Sequence, residues 1–276
     1  MDIIATLQKA LNLSDSAKIS SHPAGAVNHV YRVQQLADSQ LPMIANNLQS
    51  SGQLTSDRNF VDLAVKWMGD DDFSGVNRAH QFALQQQLYR LGVAPQPIWL
   101  SDDETIWVEQ WLEHSDSATL SMLELANTLA RIHSLPITAR PLDLSSRWQH
   151  YINVAQLDMS SELYLKAQSL RKQVIKSEQD DDDYVLCHND LLTNHVLLSA
   201  DNSLKIIDWE YAGFNTPLFD LGGLASNNNF SQKQEIYLLE NYFEKKINDE
   251  ILLKYSALKC ASLLRETMWS MVSELT

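Results

Sequence analysis

Residues 184–223 read YVLCHNDLLTNHVLLSADNSLKIIDWEYAGFNTPLFDLGG and hold the densest set of groups able to do chemistry. Two apolar runs, Tyr184–Cys187 and Leu204–Ile207, each end in a carboxylate: Asp190 within His188-Asn189-Asp190, and Asp208 directly after Ile207. A third run, Val196–Leu198, lies between them and is followed by the turn-like Ala200-Asp201-Asn202-Ser203. Strand, polar loop, strand, turn, strand is the simplest reading, and it presents Asp190 and Asp208 at the mouth of a small sheet. One carboxylate can orient and deprotonate a hydroxyl while the other holds a metal, the division of labour that phosphoryl transfer needs. Asp and Asn at strand ends are also ordinary turn residues, so the order of the whole set carries more weight than any one of them.

Several elements must position this stretch. Ile3, Ile4, Leu7 and Leu11 recur at helical spacing, predicting a short amphipathic helix within 1–13. Lys18–Ser21 and Val27–Val33 read as strands flanking Pro23-Ala24-Gly25-Ala26. Residues 34–59 are rich in Gln, Asn and Ser and read as a long, partly helical insertion without chemistry of its own. Phe60–Met68 alternates as a strand carrying Lys66, and Asn77–Leu91 reads as a helix stopped by Gly92. Ile98–Leu100 and Ile106–Trp111 are two further strands. The clearest helix is Ser121–Leu135, with Met122, Leu125, Ala126, Leu129, Ile132 and His133 on one face and Pro136 ending it. Residues 145–178 form one or two helices, 180–183 is a run of four acids read as a solvated loop, and Lys233–Phe243 and Glu250–Leu275 are helices.

Composition sets the outer bounds. A chain of 276 residues with 45% hydrophobic content buries a substantial core as one large domain or two lobes. Its apolar runs are too short to span a bilayer, and MDIIATLQKA has no signal-peptide pattern, so no membrane partner and a cytoplasmic location are expected. Cys187 and Cys260 match no metal spacing and are expected to be reduced, buried thiols. The net charge of −14 argues against a nucleic-acid partner, because phosphate binding needs clustered Lys and Arg.

CHNDLLTNHVLL and IIDWEYAGFNTPLFDL resemble the signature of the choline/ethanolamine kinase and aminoglycoside phosphotransferase group, an H-x-D-x-x-x-x-N loop followed by an I-D-[WF]-E-Y-[AS] strand. LARIHSLP is similar to that group's L-x-x-L-H-x-L-P helix, which makes His133 a buried structural residue. The resemblance implies an α+β, two-lobed protein-kinase-like fold. Residues 1–112 would form a nucleotide-binding lobe with a small antiparallel sheet and one helix, and 113–276 a larger, mainly helical catalytic lobe. It further implies transfer of the γ-phosphate of ATP, with Mg2+, to a small cationic alcohol. Choline or ethanolamine is favoured over thiamine or an aminoglycoside, with a nucleotide-binding pseudo-kinase as the other class.

The same resemblance assigns roles. Asp190 is the catalytic base, Asp208 the magnesium ligand and Lys66 the phosphate grip, with Asn28 in the phosphate-covering turn. Gln81 stands where the group has the Glu that holds the Lys, which predicts a less firmly held Lys66. Glu109 and Trp111 lie in the strand and hinge that would meet adenine. Glu210, Asp220 and Trp269 are the candidates for the cationic substrate, Trp269 either by cation–π stacking or as a core residue. The group's second magnesium ligand is an Asn, but here that position is His195, with Asn194 one place earlier. Imidazole is a poor magnesium ligand, and either residue remains a candidate. Oligomeric state is not readable.

Overall fold

The computed structural model describes residues 2–22, 29–36, 60–69, 74–113, 120–179, 184–198 and 203–275. Gly25 and Asn28, most of the 34–59 insertion and the 180–183 acid run lie outside them. The chain divides into two compact units, one of residues 1–71, 77–114 and 199–205, the other of 72–76, 115–198 and 206–276. The first unit runs on to 114, and the short segments 72–76 and 199–205 belong to the unit opposite that of their sequence neighbours.

The first unit is built on an antiparallel sheet in the order β1-β2-β3-β5-β4, from β1 (Lys18–His22), β2 (His29–Leu36), β3 (Phe60–Trp67), β4 (Pro97–Leu100) and β5 (Ile106–Gln110). Strand side chains alternate between faces, so Leu63 and Val65 of β3 join Tyr31, Val33, Ile98, Ile106 and Val108 in one core. Helix α1 (Ile3–Ala10) adds Leu7, and Leu11 follows it. Asp2 caps α1 by accepting from the Ala5 N–H. Lys66, one residue past Val65, is thereby turned to the opposite face. Helix α2 (Arg78–Arg90) is capped by Asn77, which accepts from the His80 N–H. Among its described residues the unit thus has two helices.

The second unit contains helices α3 (Met122–His133), α4 (Leu144–Val154), α5 (Glu162–Gln179), α6 (Pro217–Asn227), α7 (Gln232–Phe243) and α8 (Asp249–Leu275). Its strands β6 (Val185–Cys187), β7 (Val196–Leu198) and β9 (Gly213–Asn215) carry most of the signature stretch, while β8 (Leu204–Ile206) begins in the 199–205 segment assigned to the first unit. Ser121 and Glu124 close a reciprocal capping box at the start of α3, satisfying two N–H groups that a helix end leaves unpaired. Antiparallel pairing sets Cys187 of β6 opposite Gly213 of β9. Gly213 is required there, because a Cβ would sit 2.6 Å from the Arg140 carbonyl that accepts from Phe214 N–H. No described helix is long and apolar enough to cross a membrane.

The Gly222-Gly223 pair of α6 has a packing reason. A Cβ on Gly222 would lie 2.8 Å from Lys259 Cα, and one on Gly223 would lie 3.0 Å from Ser262 Oγ, both on α8. The two backbones touch without intervening side chains. Ala at 222 would gain about 1 kcal/mol of helix propensity but would overpack a backbone contact, which costs about 1–3 kcal/mol. Overpacking is expected to win, so Gly222→Ala should lower the urea midpoint. A midpoint at or above the native one would show that the helices can part freely.

Candidate active site

The loop after β6 is anchored from below by one carboxylate. Asp220, on the first turn of α6 and 2% exposed, accepts from the His188 N–H (2.7 Å) and the Asn189 N–H (2.6 Å). Its Oδ2 also lies 3.1 Å from Nε2 of the buried His133, whose Nδ1 lies 2.7 Å from the Tyr242 hydroxyl. Burial opposes the charged form of Asp220. The bond from His133, the His133 and His188 rings and the His188 N–H outweigh it and hold the carboxyl below the usual range. Asp220 therefore does not face a substrate, as its place in the sequence motif suggests; both its oxygens are occupied inside the protein. Cys187 approaches His133 and Asp220, with ligand-type atoms all within 4.8 Å. Its thiol is directed at the Asn215 and Thr216 carbonyls (3.5 and 3.6 Å), and burial, then the Asp220 charge, pushes its pKa well up. Cys260, expected to be buried, is exposed on α8.

Two left-handed residues shape the loops. Asn189 (φ 63°) and Asp208 (φ 69°) adopt a backbone that Asn and Asp tolerate best among side chains bearing a Cβ. Asn189 is 2% exposed; its Nδ2 donates to the Tyr211 and Gly213 carbonyls, and its Oδ1 accepts from Asn215 Nδ2. It ties the Asp190 loop to the Asp208 segment. His188 faces Ile207 O at 2.9 Å through Nε2 and packs on Trp209 (ring centroids 4.7 Å apart). Burial, then the neighbouring His195, lowers its pKa and keeps it neutral.

Asp190 meets a partner that its sequence neighbourhood does not announce. Arg265 of α8, with its side chain 3% exposed, donates through Nη2 to Asp190 Oδ1 at 2.6 Å. The same nitrogen donates to Glu266 Oε2 at 3.2 Å, and the guanidinium lies 5.0 Å over the Tyr211 ring. Burial alone would disfavour the Arg265 charge, but Asp190 and Glu266 outweigh it and raise its pKa. Burial, then the Asp190 charge, pushes the Glu266 carboxyl up.

The loop places the two residues offered as metal ligands differently. The turn Thr193–His195 leaves Asn194 exposed and buries His195, whose Nε2 lies 3.7 Å from Asp208 Oδ2. Its Nδ1 lies 3.1 Å from the Asp190 carbonyl. His195, not Asn194, is the residue brought to Asp208. Glu210 and Trp269 are both half-buried. Trp269 follows Arg265 by four residues on α8, the spacing that puts two side chains on one helix face.

In the first unit, Lys66 has its carboxylate, and from an unexpected element. Its Nζ lies 3.6 Å from Oε1 of Glu109, whose side chain is 4% exposed. Glu109 Oε2 accepts from Gln85 Nε2 (2.7 Å) and Trp107 Nε1 (3.0 Å). Lys66 pairs with Trp107 across β3 and β5, which makes Glu109 its diagonal neighbour on the same face. Two expectations change. Glu109 is a buried anchor for Lys66 rather than an adenine contact, and α2 reaches the pair through Gln85, one turn beyond Gln81, which is itself half-buried. Trp111 also differs from its expected role. Its N–H donates to Asp62 O and its ring packs against Arg32 (4.8 Å) and His22 (5.2 Å). The Gln110 N–H donates to Gln96 O, so neither backbone donor is left for an adenine edge.

Asn at position 220 could accept through one oxygen only and would set an NH2 against a backbone N–H. Breaking a buried charged network of this kind costs about 3–5 kcal/mol. Asp220→Asn should therefore unfold at markedly lower urea. Because the folded pKa of Asp220 is depressed, its contribution is present above the unfolded value of about 3.9 and is lost as pH falls through the lower folded value. The stability curve of Asp220→Asn should accordingly be flatter below pH 4 than that of the parent.

Residues 76–250 match the model of the "Phosphotransferase enzyme family". Protein LicA of Haemophilus influenzae (strain Rd) is 25% identical over 222 residues, spanning 72% of this chain and 79% of LicA. The crystal structure of a choline/ethanolamine kinase family protein from Mesorhizobium loti superposes with a TM-score of 0.70 at 17% identity, covering 99% of this chain and 87% of that one. A LicA structure in complex with AMP superposes with a TM-score of 0.68 at 20% identity, covering 99% and 90%. These structures show that the fold is kinase-like, as the motifs imply. With the family model spanning more than half its length, the chain belongs to the phosphotransferase enzyme family.

Proposed function

We propose that the protein transfers the γ-phosphate of ATP to the hydroxyl of a small cationic alcohol of the choline or ethanolamine kind. The observation that carries this reading is the state of Asp190. One carboxylate oxygen is fixed by Arg265, while no described residue hydrogen-bonds the other. A base held by one oxygen and open at the other is poised to orient an incoming hydroxyl. The AMP held by one LicA structure and the choline/ethanolamine label of another relative support the donor and acceptor classes.

In this reading the acceptor hydroxyl donates to Asp190 Oδ2. As its oxygen bonds to the γ-phosphorus, its proton passes to Asp190, and the bond to the β-phosphate oxygen breaks with its electron pair leaving on ADP. Lys66, held by Glu109, grips the nucleotide phosphates. The donor set fits magnesium through Asp208, a half-exposed carboxylate of the hard oxygen type that magnesium prefers. His195 offers nitrogen, which magnesium takes poorly, so it fits better as the residue that orients Asp208. When bound, magnesium neutralises charge on the phosphates. The Lys66–Glu109 ion pair at 3.6 Å weakens the case for a binding-only pseudo-kinase, since Gln81 no longer leaves the lysine without a carboxylate.

An ADP-release assay across ethanolamine, choline, thiamine and an aminoglycoside tests the reading. Turnover is expected with at least one amino alcohol, and silence with all four would refute it. Asp190→Asn, assayed below the melting point its thermal unfolding shows, should lower kcat about 10²–10⁴-fold. Lys66→Met should chiefly raise the KM for ATP.

A further inference from the structure

Arg265 does more than fix Asp190. Its Nη2 bridges two carboxylates, Asp190 Oδ1 at 2.6 Å and Glu266 Oε2 at 3.2 Å. Each of those carboxylates has a second oxygen, and neither second oxygen accepts a hydrogen bond from any described residue. Two acceptors without a described partner thus belong to carboxylates that share a single buried nitrogen. The trio carries two negative charges against one positive when both acids are ionised, so it is left one positive charge short. Accessibility fits a ligand-facing role: Arg265 is 3% exposed, Asp190 20% and Glu266 41%. Trp269, three residues beyond Glu266, lies at a spacing that puts it beside Glu266 on the helix surface.

We propose that Glu266 is the specificity-determining residue for the charged end of the substrate. Its open Oε1 accepts an N–H from a protonated amine while the hydroxyl of the same molecule meets Asp190 Oδ2. The inference rests on the phosphotransfer reading above and deepens it by naming the acceptor class, a short amino alcohol with a protonated amine. A trimethylammonium group has no N–H to donate and gains only the charge attraction and the indole face. Ethanolamine is therefore preferred over choline.

The test uses calorimetric binding of ethanolamine and of choline to the full chain loaded with ADP and magnesium, alongside ADP release with ATP. Glu266→Gln keeps the shape of the side chain and removes its charge. Losing a charge-assisted hydrogen bond should weaken ethanolamine about tenfold or more and choline by clearly less. Glu266→Asp, which retracts the carboxylate but keeps the charge, should fall between. An unchanged thermal midpoint for both variants confirms that the fold is intact. Equal ethanolamine affinity in parent and Glu266→Gln overturns the proposal, and so does a parent that binds neither amine or prefers choline. A Glu266-dependent ethanolamine affinity without ADP release would sustain this assignment and refute the catalytic reading. Turnover that is indifferent to Glu266 would do the reverse.

Discussion

The arrangement of the larger unit depends on the carboxylate of Asp220 buried beneath the loop after β6. A buried anion is costly unless fully hydrogen-bonded, and Asp220 meets that demand with two consecutive backbone N–H groups and a histidine. The requirement runs both ways. The loop cannot relax without stranding the anion, and α6 cannot shift without releasing the loop. His133 from α3, His188 and Asn189 from the loop, and Tyr242 from α7 all belong to this one network. It converts a flexible-looking strand end into a rigid platform for Asp190.

A similar economy governs the other charges. Every buried ionic group named above has an identified counterpart: Lys66 with Glu109, Arg265 with Asp190, Asp220 with His133. Effective dielectric is lower in such places, so the pairs are stronger and their loss more damaging. The carboxylates left partly exposed, Asp190, Asp208 and Glu266, are those a phosphotransferase would present to its reactants.

Much of this was legible in the chain itself. Local periodicity and helix-stopping residues predicted most elements, because the apolar spacing of 121–135, the stops at Gly92 and Pro136 and the alternation of β3 act over three or four residues. The family and the kinase-like fold followed from HND and IDWEY, where chemistry restricts residue choice. What escaped was long-range pairing. Asp220 looks like a substrate acid until its position beneath His188 is known, thirty-two residues away in sequence. Glu109 looks like a hinge residue until the register of β3 and β5 sets it diagonal to Lys66. Arg265 carries no local signal of its tie to Asp190, seventy-five residues earlier. Such pairs are set by how elements dock, which no short window contains.

The neighbouring positions 265 and 266 on α8 have a consequence for substrate preference. Successive residues on a helix point in directions about 100° apart, so Arg265 turns into the core and Glu266 toward solvent while sharing one turn of backbone. Arg265 is buried against Asp190 and the Tyr211 ring, so its replacement would strand a buried partner. Its neighbour, half in water, can change at small cost to the fold. On the reading proposed above, the amine preference could therefore change by substitution at position 266 while the Arg265–Asp190 pair stays in place.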